Sequence, residues 1–71
     1  MNLLTSMRYL VALNEHRHFA RAAQACHITQ PALSNALKAL EEELGAPLFD
    51  RIGRRVRLTD SGRQAVQSAR V

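Results

Sequence analysis

The chain is poor in the features that staple, anchor or export a small protein. It has a single cysteine, Cys26, so no disulfide can close within it, which fits a reducing compartment. No apolar run approaches the roughly 20 residues needed to cross a bilayer, so no membrane partner is expected. The N-terminus lacks a basic segment leading into an apolar stretch and a small-residue cleavage site, so no secretory signal is expected and the location is read as cytoplasmic. His16, His18, Cys26 and His27 do not follow zinc-finger spacing, and no second cysteine pair exists, so neither metal nor cofactor is expected. Repeats, low-complexity tracts and a flexible linker are also missing. Seventy-one residues make one small domain, and a chain of that size buries only about 60% of its unfolded surface. That leaves no room for an ordinary catalytic cleft. Ser34 has no acid–base partner on its own face, which argues against nucleophilic catalysis.

Net charge is absent from one part of the chain and concentrated in another. Over residues 1–49, Arg8, Arg17, Arg21 and Lys38 balance Glu15, Glu41, Glu42 and Glu43. Over residues 50–71, Arg51, Arg54, Arg55, Arg57, Arg63 and Arg70 face only Asp50 and Asp60, so this segment carries the whole net charge of +4. Every basic residue there is arginine, whose planar fork can hold two phosphate oxygens at once. The isolated Arg63 and Arg70 read instead as solubilising surface.

Periodicity predicts four helices and a hairpin. Leu3, Met7, Leu10, Val11 and Asn14 mark a first helix, with Tyr9 at its core or rim. Phe19, Ala22, Ala23 and Cys26 mark a short second helix over 18–26, whose alanines let another helix approach closely. Thr29 is suited to cap a third helix, Pro31 to its first turn, and Gly45 to a left-handed stop before Pro47. Leu33, Leu37, Leu40 and Leu44 form its expected buried stripe. Residues 48–58 switch to an alternating pattern around Ile52-Gly53-Arg54 and predict a small two-stranded hairpin. Thr59 caps a last helix, with Gly62, Ala65, Val66 and Ala69 along one side. Small residues at that spacing permit a dimer seam, the bland alternative being simple core.

Helix, tight turn, helix and basic hairpin is the order of a winged helix-turn-helix. Ala23, Ile28 and Leu33 occupy positions for a small residue, a turn anchor and a buried residue, while His27 stands where the turn often has glycine. The third helix, TQPALSNALKALEEELG, is neutral to basic in front and acidic behind. Gln30, Ser34 and Lys38 stack on one side, with Pro31 and Asn35 beside them. Recognition helices meet base edges with their N-terminal turns. Gln30 can pair with an adenine edge, Ser34 permits close approach, Pro31 suits a thymine methyl and Lys38 can reach a phosphate. Glu41, Glu42 and Glu43 then point away from the duplex, pairing with arginines or opposing wrong docking. Arg54 and Arg55 at the hairpin tip can reach the flanking minor groove or backbone. Arg51 and Arg57 are either phosphate contacts or partners of the glutamates.

Nearly the whole chain resembles the N-terminal domain of LysR-type transcriptional regulators, through MRYLVAL, HFARAAQACHITQPALS, LKALEEELGAPLFDR and RRVRLTDSG. The resemblance implies a homodimer joined through the final helix, a tetramer being open to the full-length protein, and double-stranded promoter DNA with a partly palindromic T…A core as partner. It implies Gln30, Pro31 and Ser34 in the major groove and Arg54 in the minor groove. The sequence departs from the family at Asn35 and Ala36, often Arg and Gln, at His18, often Ser, and at Cys26, often Leu. EHRHF and CHITQP also resemble the peroxide-sensing branch, whose redox chemistry lies in a regulatory domain outside these 71 residues. Whole regulators of the family carry such an effector domain, and the last helix reaches the C-terminus without a stop signal, which predicts a fragment.

The expected fold is therefore mainly α: a winged helix-turn-helix over 1–58, with a three-helix core and a two-stranded β wing, and the start of a linker or dimerisation helix over 59–71. The expected DNA contacts are Thr29, Gln30, Pro31, Ser34, Asn35, Lys38, Arg51, Arg54 and Arg55. The alternatives are a nonspecific nucleic-acid binder and a helical protein-interaction module.

Overall fold

The computed structural model describes residues 2–53 and 55–69, apart from the side chain of Ala69. The elements run α1 (Leu3–His16), α2 (Phe19–Ala25), α3 (Gln30–Leu44), β1 (Phe49–Ile52), β2 (Arg55–Leu58) and α4 (Asp60–Ala69). None of these helices is long and apolar enough to cross a membrane.

The helix boundaries follow from local chemistry. Asn2 Oδ1 accepts from the Thr5 N–H at 3.2 Å, and Thr29 Oγ1 accepts from the Ala32 N–H at 3.2 Å, each satisfying a donor that its helix leaves unpaired. Helix α3 stops at Gly45, whose φ of 72° suits a residue without Cβ and whose N–H donates to Glu41 O at 2.8 Å. Helix α1 stops without a glycine: Arg17 takes the left-handed position at φ 54° and donates to Leu13 O.

Leu10, Leu13, Leu33, Leu37, Leu40 and Leu48 are the largest fully enclosed side chains, and Phe19, Ala22 and Ala23 join them in one core. Helices α1, α2 and α3 all pack against one another around it. Two expectations are corrected. Leu44 shares the helical face of the leucine stripe but is 47% exposed, because the chain reverses at Gly45 and Leu48, 1% exposed, fills that end of the core. Helix α2 ends at Ala25, so Cys26 is its C-cap residue and only half-buried.

The wing is an antiparallel pair with Phe49 opposite Leu58, Asp50 opposite Arg57, Arg51 opposite Val56 and Ile52 opposite Arg55. Strand alternation puts Phe49, Arg51, Val56 and Leu58 on one face, which turns to the core, and Asp50, Ile52, Arg55 and Arg57 on the other. Gly53, at φ 64°, supplies the left-handed residue of the turn. The Val56 N–H donates to Arg17 O at 3.1 Å, tying β2 to the end of α1.

Thr59 joins wing to α4. Its hydroxyl donates to Pro47 O at 2.7 Å and accepts from the Gly62 N–H at 3.1 Å, while its own N–H donates to Leu48 O at 3.1 Å. Gly62 lies so close to this loop that a Cβ there would stand 2.0 Å from Leu48 O. Arg63, read as idle surface, donates to Leu58 O at 3.1 Å and pairs with Asp60.

Two substitutions test this account by urea denaturation. Gly62→Ala is expected to destabilise by about 3 kcal/mol, since backbone must move to admit the methyl. His27→Gly is expected to stabilise by about 0.5–1 kcal/mol: His27 sits at φ 59°, where a Cβ is strained, and the relief exceeds the added freedom of the unfolded chain.

Candidate nucleic-acid interface

The α2–α3 turn sets the site. His27 N–H bonds Gln24 O at 3.1 Å and Ile28 N–H bonds Ala23 O at 3.0 Å, so the chain leaves α2 by a tight left-handed step and enters α3 at Thr29. His27, which stands where the turn often has glycine, lies in the left-handed region at φ 59°, one that His tolerates better than most residues. With Leu33, Leu37 and Leu40 turned inward, Thr29, Gln30, Pro31, Asn35 and Lys38 are exposed and Ser34 is half-buried.

The polar ends on this face are open. Among the described residues, Gln30, Ser34, Asn35 and Lys38 have no hydrogen-bond or ion-pair partner within the chain. Thr29 differs, because its hydroxyl is already the α3 cap. No acidic residue lies in the first turn of α3. At the far end the glutamates do something other than pair with arginines. Glu41 Oε2 accepts from the Leu48 N–H at 2.8 Å, anchoring the loop into the wing, while Glu42 and Glu43 are exposed. No described arginine reaches ion-pair distance of any of the three.

The wing arginines divide between its two faces. Arg51 lies on the inner face with its guanidinium carbon 4.1 Å from the centre of the Phe19 ring, which meets Phe49 edge-on at 5.5 Å. The ring face attracts the cation and holds it in one direction. Arg55 and Arg57 are exposed on the outer face, and Arg54 lies outside the described residues. A crevice of about 340 Å³ runs between α2, the start of α3 and the wing, lined by His18, Phe19, Gln30, Arg51, Gly53 and Arg55 among others. The fold thus brings Gln30, Arg51 and Arg55 together; Lys38 stands two turns further along α3. Neither the placement of His18 in this crevice nor the support of Arg51 by Phe19 has a signal in local sequence, because the partners are far apart in the chain.

The small-residue face of α4 needs correction as a seam. Gly62 is enclosed against Leu48, and Val66 is 4% exposed within the core. A partner helix cannot reach either while this packing holds. Ala65 is half-buried, and the Ala69 side chain lies outside the described residues. Among the described residues no group of three His, Cys, Asp or Glu could hold a metal. Burial pushes the Cys26 thiol above its ordinary pKa, with Arg8 opposing weakly.

The model of the bacterial regulatory helix-turn-helix protein, lysR family, matches residues 4–63. The hydrogen peroxide-inducible genes activator of Pectobacterium carotovorum is 49% identical over 67 residues, covering 94% of this chain but 22% of the relative. The SDS degradation transcriptional activation protein of a Pseudomonas species is 53% identical over 70 residues, covering 99% of this chain and 23% of the relative. The crystal structure of a CbnR DNA-binding domain–DNA complex matches with a TM-score of 0.91 at 33% identity, over 99% of this chain and 79% of that one. The chain therefore spans less than a quarter of the length of these curated relatives.

Because burial lowers the already small thiolate fraction of Cys26 further, alkylation by iodoacetamide at about pH 7.5 is expected to run slower in the folded chain than in urea. Equal rates, followed by mass spectrometry, would contradict the burial.

Proposed function

The chain belongs to the lysR family of bacterial regulatory helix-turn-helix proteins, and from that membership we propose that it is a sequence-specific, double-stranded DNA-binding domain of a cytoplasmic transcription regulator, without catalytic activity. The observation that carries this reading is the front face of α3: exposed, free of acidic groups, and furnished with polar ends that no group among the described residues engages. Base edges in the major groove offer the missing partners, and a helix N-terminus entering first keeps Glu42 and Glu43 from the phosphates. Gln30, Pro31, Ser34 and Asn35 read bases in this arrangement, with Thr29 at the groove wall. Lys38 and Arg51 meet phosphates. Arg54 and Arg55 follow the strand to the minor groove or its edge. The likeness to a DNA-bound domain supports the same placement.

Two copies pair, in this reading, through the continuation of α4. With Gly62 and Val66 enclosed, the seam falls to Ala65, Ala69 and the turns after them. The operator is then an inverted repeat.

Selection from a random duplex pool at near-physiological salt tests the reading. An enriched inverted motif is the expected result. Retention at low salt without enrichment would indicate a nonspecific binder, and no binding at any salt would indicate an interaction module. On the selected site, Gln30→Ala is expected to lose about 1–3 kcal/mol and to relax preference at one base position. Arg54→Ala should instead weaken binding with a smaller loss of preference and flatten the salt dependence by about one unit of slope. Titrations by fluorescence anisotropy at several salt concentrations separate the two.

A further inference from the structure

His18 precedes α2 in an extended conformation, as its N-cap, yet its side chain makes no capping bond. His18 is among the residues lining the crevice that joins Gln30 to Arg51 and Arg55. Its Nδ1 is shut from solvent without a partner, and among the described residues no group bonds to the ring at all. Nδ1 is the buried, unsatisfied nitrogen, and Nε2 is not among the buried, unsatisfied atoms of the described residues. A buried unpaired N–H is rarer and costlier than a buried unpaired acceptor. In its neutral form the ring is accordingly the Nε2–H tautomer, which makes Nε2 the donor.

The surroundings of that donor select its partner. Arg51, its guanidinium held against Phe19, and Arg55 are among the residues that line the same crevice, and no carboxylate-bearing residue is. A cation or a second donor is repelled there; an anionic oxygen is attracted. The crevice lies between the front of α3 and the wing, where a DNA strand passing from major to minor groove presents its backbone.

We propose that His18 is a further DNA contact of this chain, donating from Nε2 to a backbone phosphodiester that Arg51 and Arg55 flank. The inference rests on the DNA-binding reading above. Donated from the neutral form of the ring, the contact adds affinity without releasing an additional counterion, whereas Arg51 does both.

Binding of this chain to its selected duplex tests it. His18→Phe keeps a ring in place and removes the donor; it is expected to weaken binding about three- to tenfold with the salt slope unchanged. His18→Gln, whose amide nitrogen reaches to where Nε2 stands, is expected to recover most of the loss. Arg51→Ala should lower the slope. Replacing single phosphates by methylphosphonates locates the partner: one position in each half-site should weaken the unaltered chain but not His18→Phe. Should a variant fail to fold, ring ¹H–¹⁵N correlation spectra of the unaltered chain are expected to show the Nε2–H tautomer and a shift of Nε2 on adding duplex. Unchanged affinity in His18→Phe, no recovery in His18→Gln, equal methylphosphonate losses in both proteins, or an Nδ1–H tautomer would each overturn the contact. An unaltered chain that binds no duplex would overturn the DNA-binding reading itself.

Discussion

The burial of Leu33, Leu37 and Leu40 fixes the rotation of α3 about its own axis, and everything outward-facing follows from it. Once three leucines on one side are sealed against α1 and α2, the polar residues between them have a single direction to face. A roll by one residue, about 100°, would expose leucine and bury Gln30 or Lys38 without partners, which is costly on both counts. The recognition surface is thus a by-product of core packing. Rigidity is inherited with it, because side chains on a packed helix are presented from a fixed backbone.

The wing gains its place differently. Two short strands alone are marginal in water. Here β2 bonds sideways to Arg17 O, Val56 and Leu58 enter the core, and Glu41 clamps the approaching loop at Leu48. The αL stop at Arg17 therefore serves two elements: it ends α1 and turns a carbonyl toward the strand. Glu41 likewise belongs to the architecture, while Glu42 and Glu43 remain surface charges. Residues of one sequence run, EEE, have divided into different duties because only one of them meets a free backbone donor.

Much of this was legible in advance where the physics is local. Thr29 as a cap, Gly45 as a left-handed stop, Gly53 in the hairpin turn and Thr59 before α4 each depend on groups within a few residues, and each is as read. The front face of α3 was legible too, since helical periodicity states which residues share a side. Periodicity does not state what covers that side. Leu44 was misread for this reason: it has the right phase, but the core leaves it 47% exposed. Gly62 and Val66 were misread in the opposite sense, as free for a partner when the chain's own loop already fills the space. The crevice residues His18, Phe19 and Arg51 become neighbours only through the tertiary fold, and no spacing rule links them.

The uneven placement of charge has a kinetic meaning. The first 49 residues are electrically balanced, while the segment bearing the wing holds the entire excess of +4. A body so polarised is turned as well as drawn in by a polyanion, because the torque acts before contact. In the proposed DNA-binding reading the wing edge leads, and α3 arrives beside the groove already near its working orientation. Attraction through arginines to phosphates is also blind to sequence, so the same edge can hold the duplex loosely while the domain hops or slides between sites. Searching and reading are in this way assigned to different ends of one small molecule, and a change in ionic strength acts on the first far more than on the second.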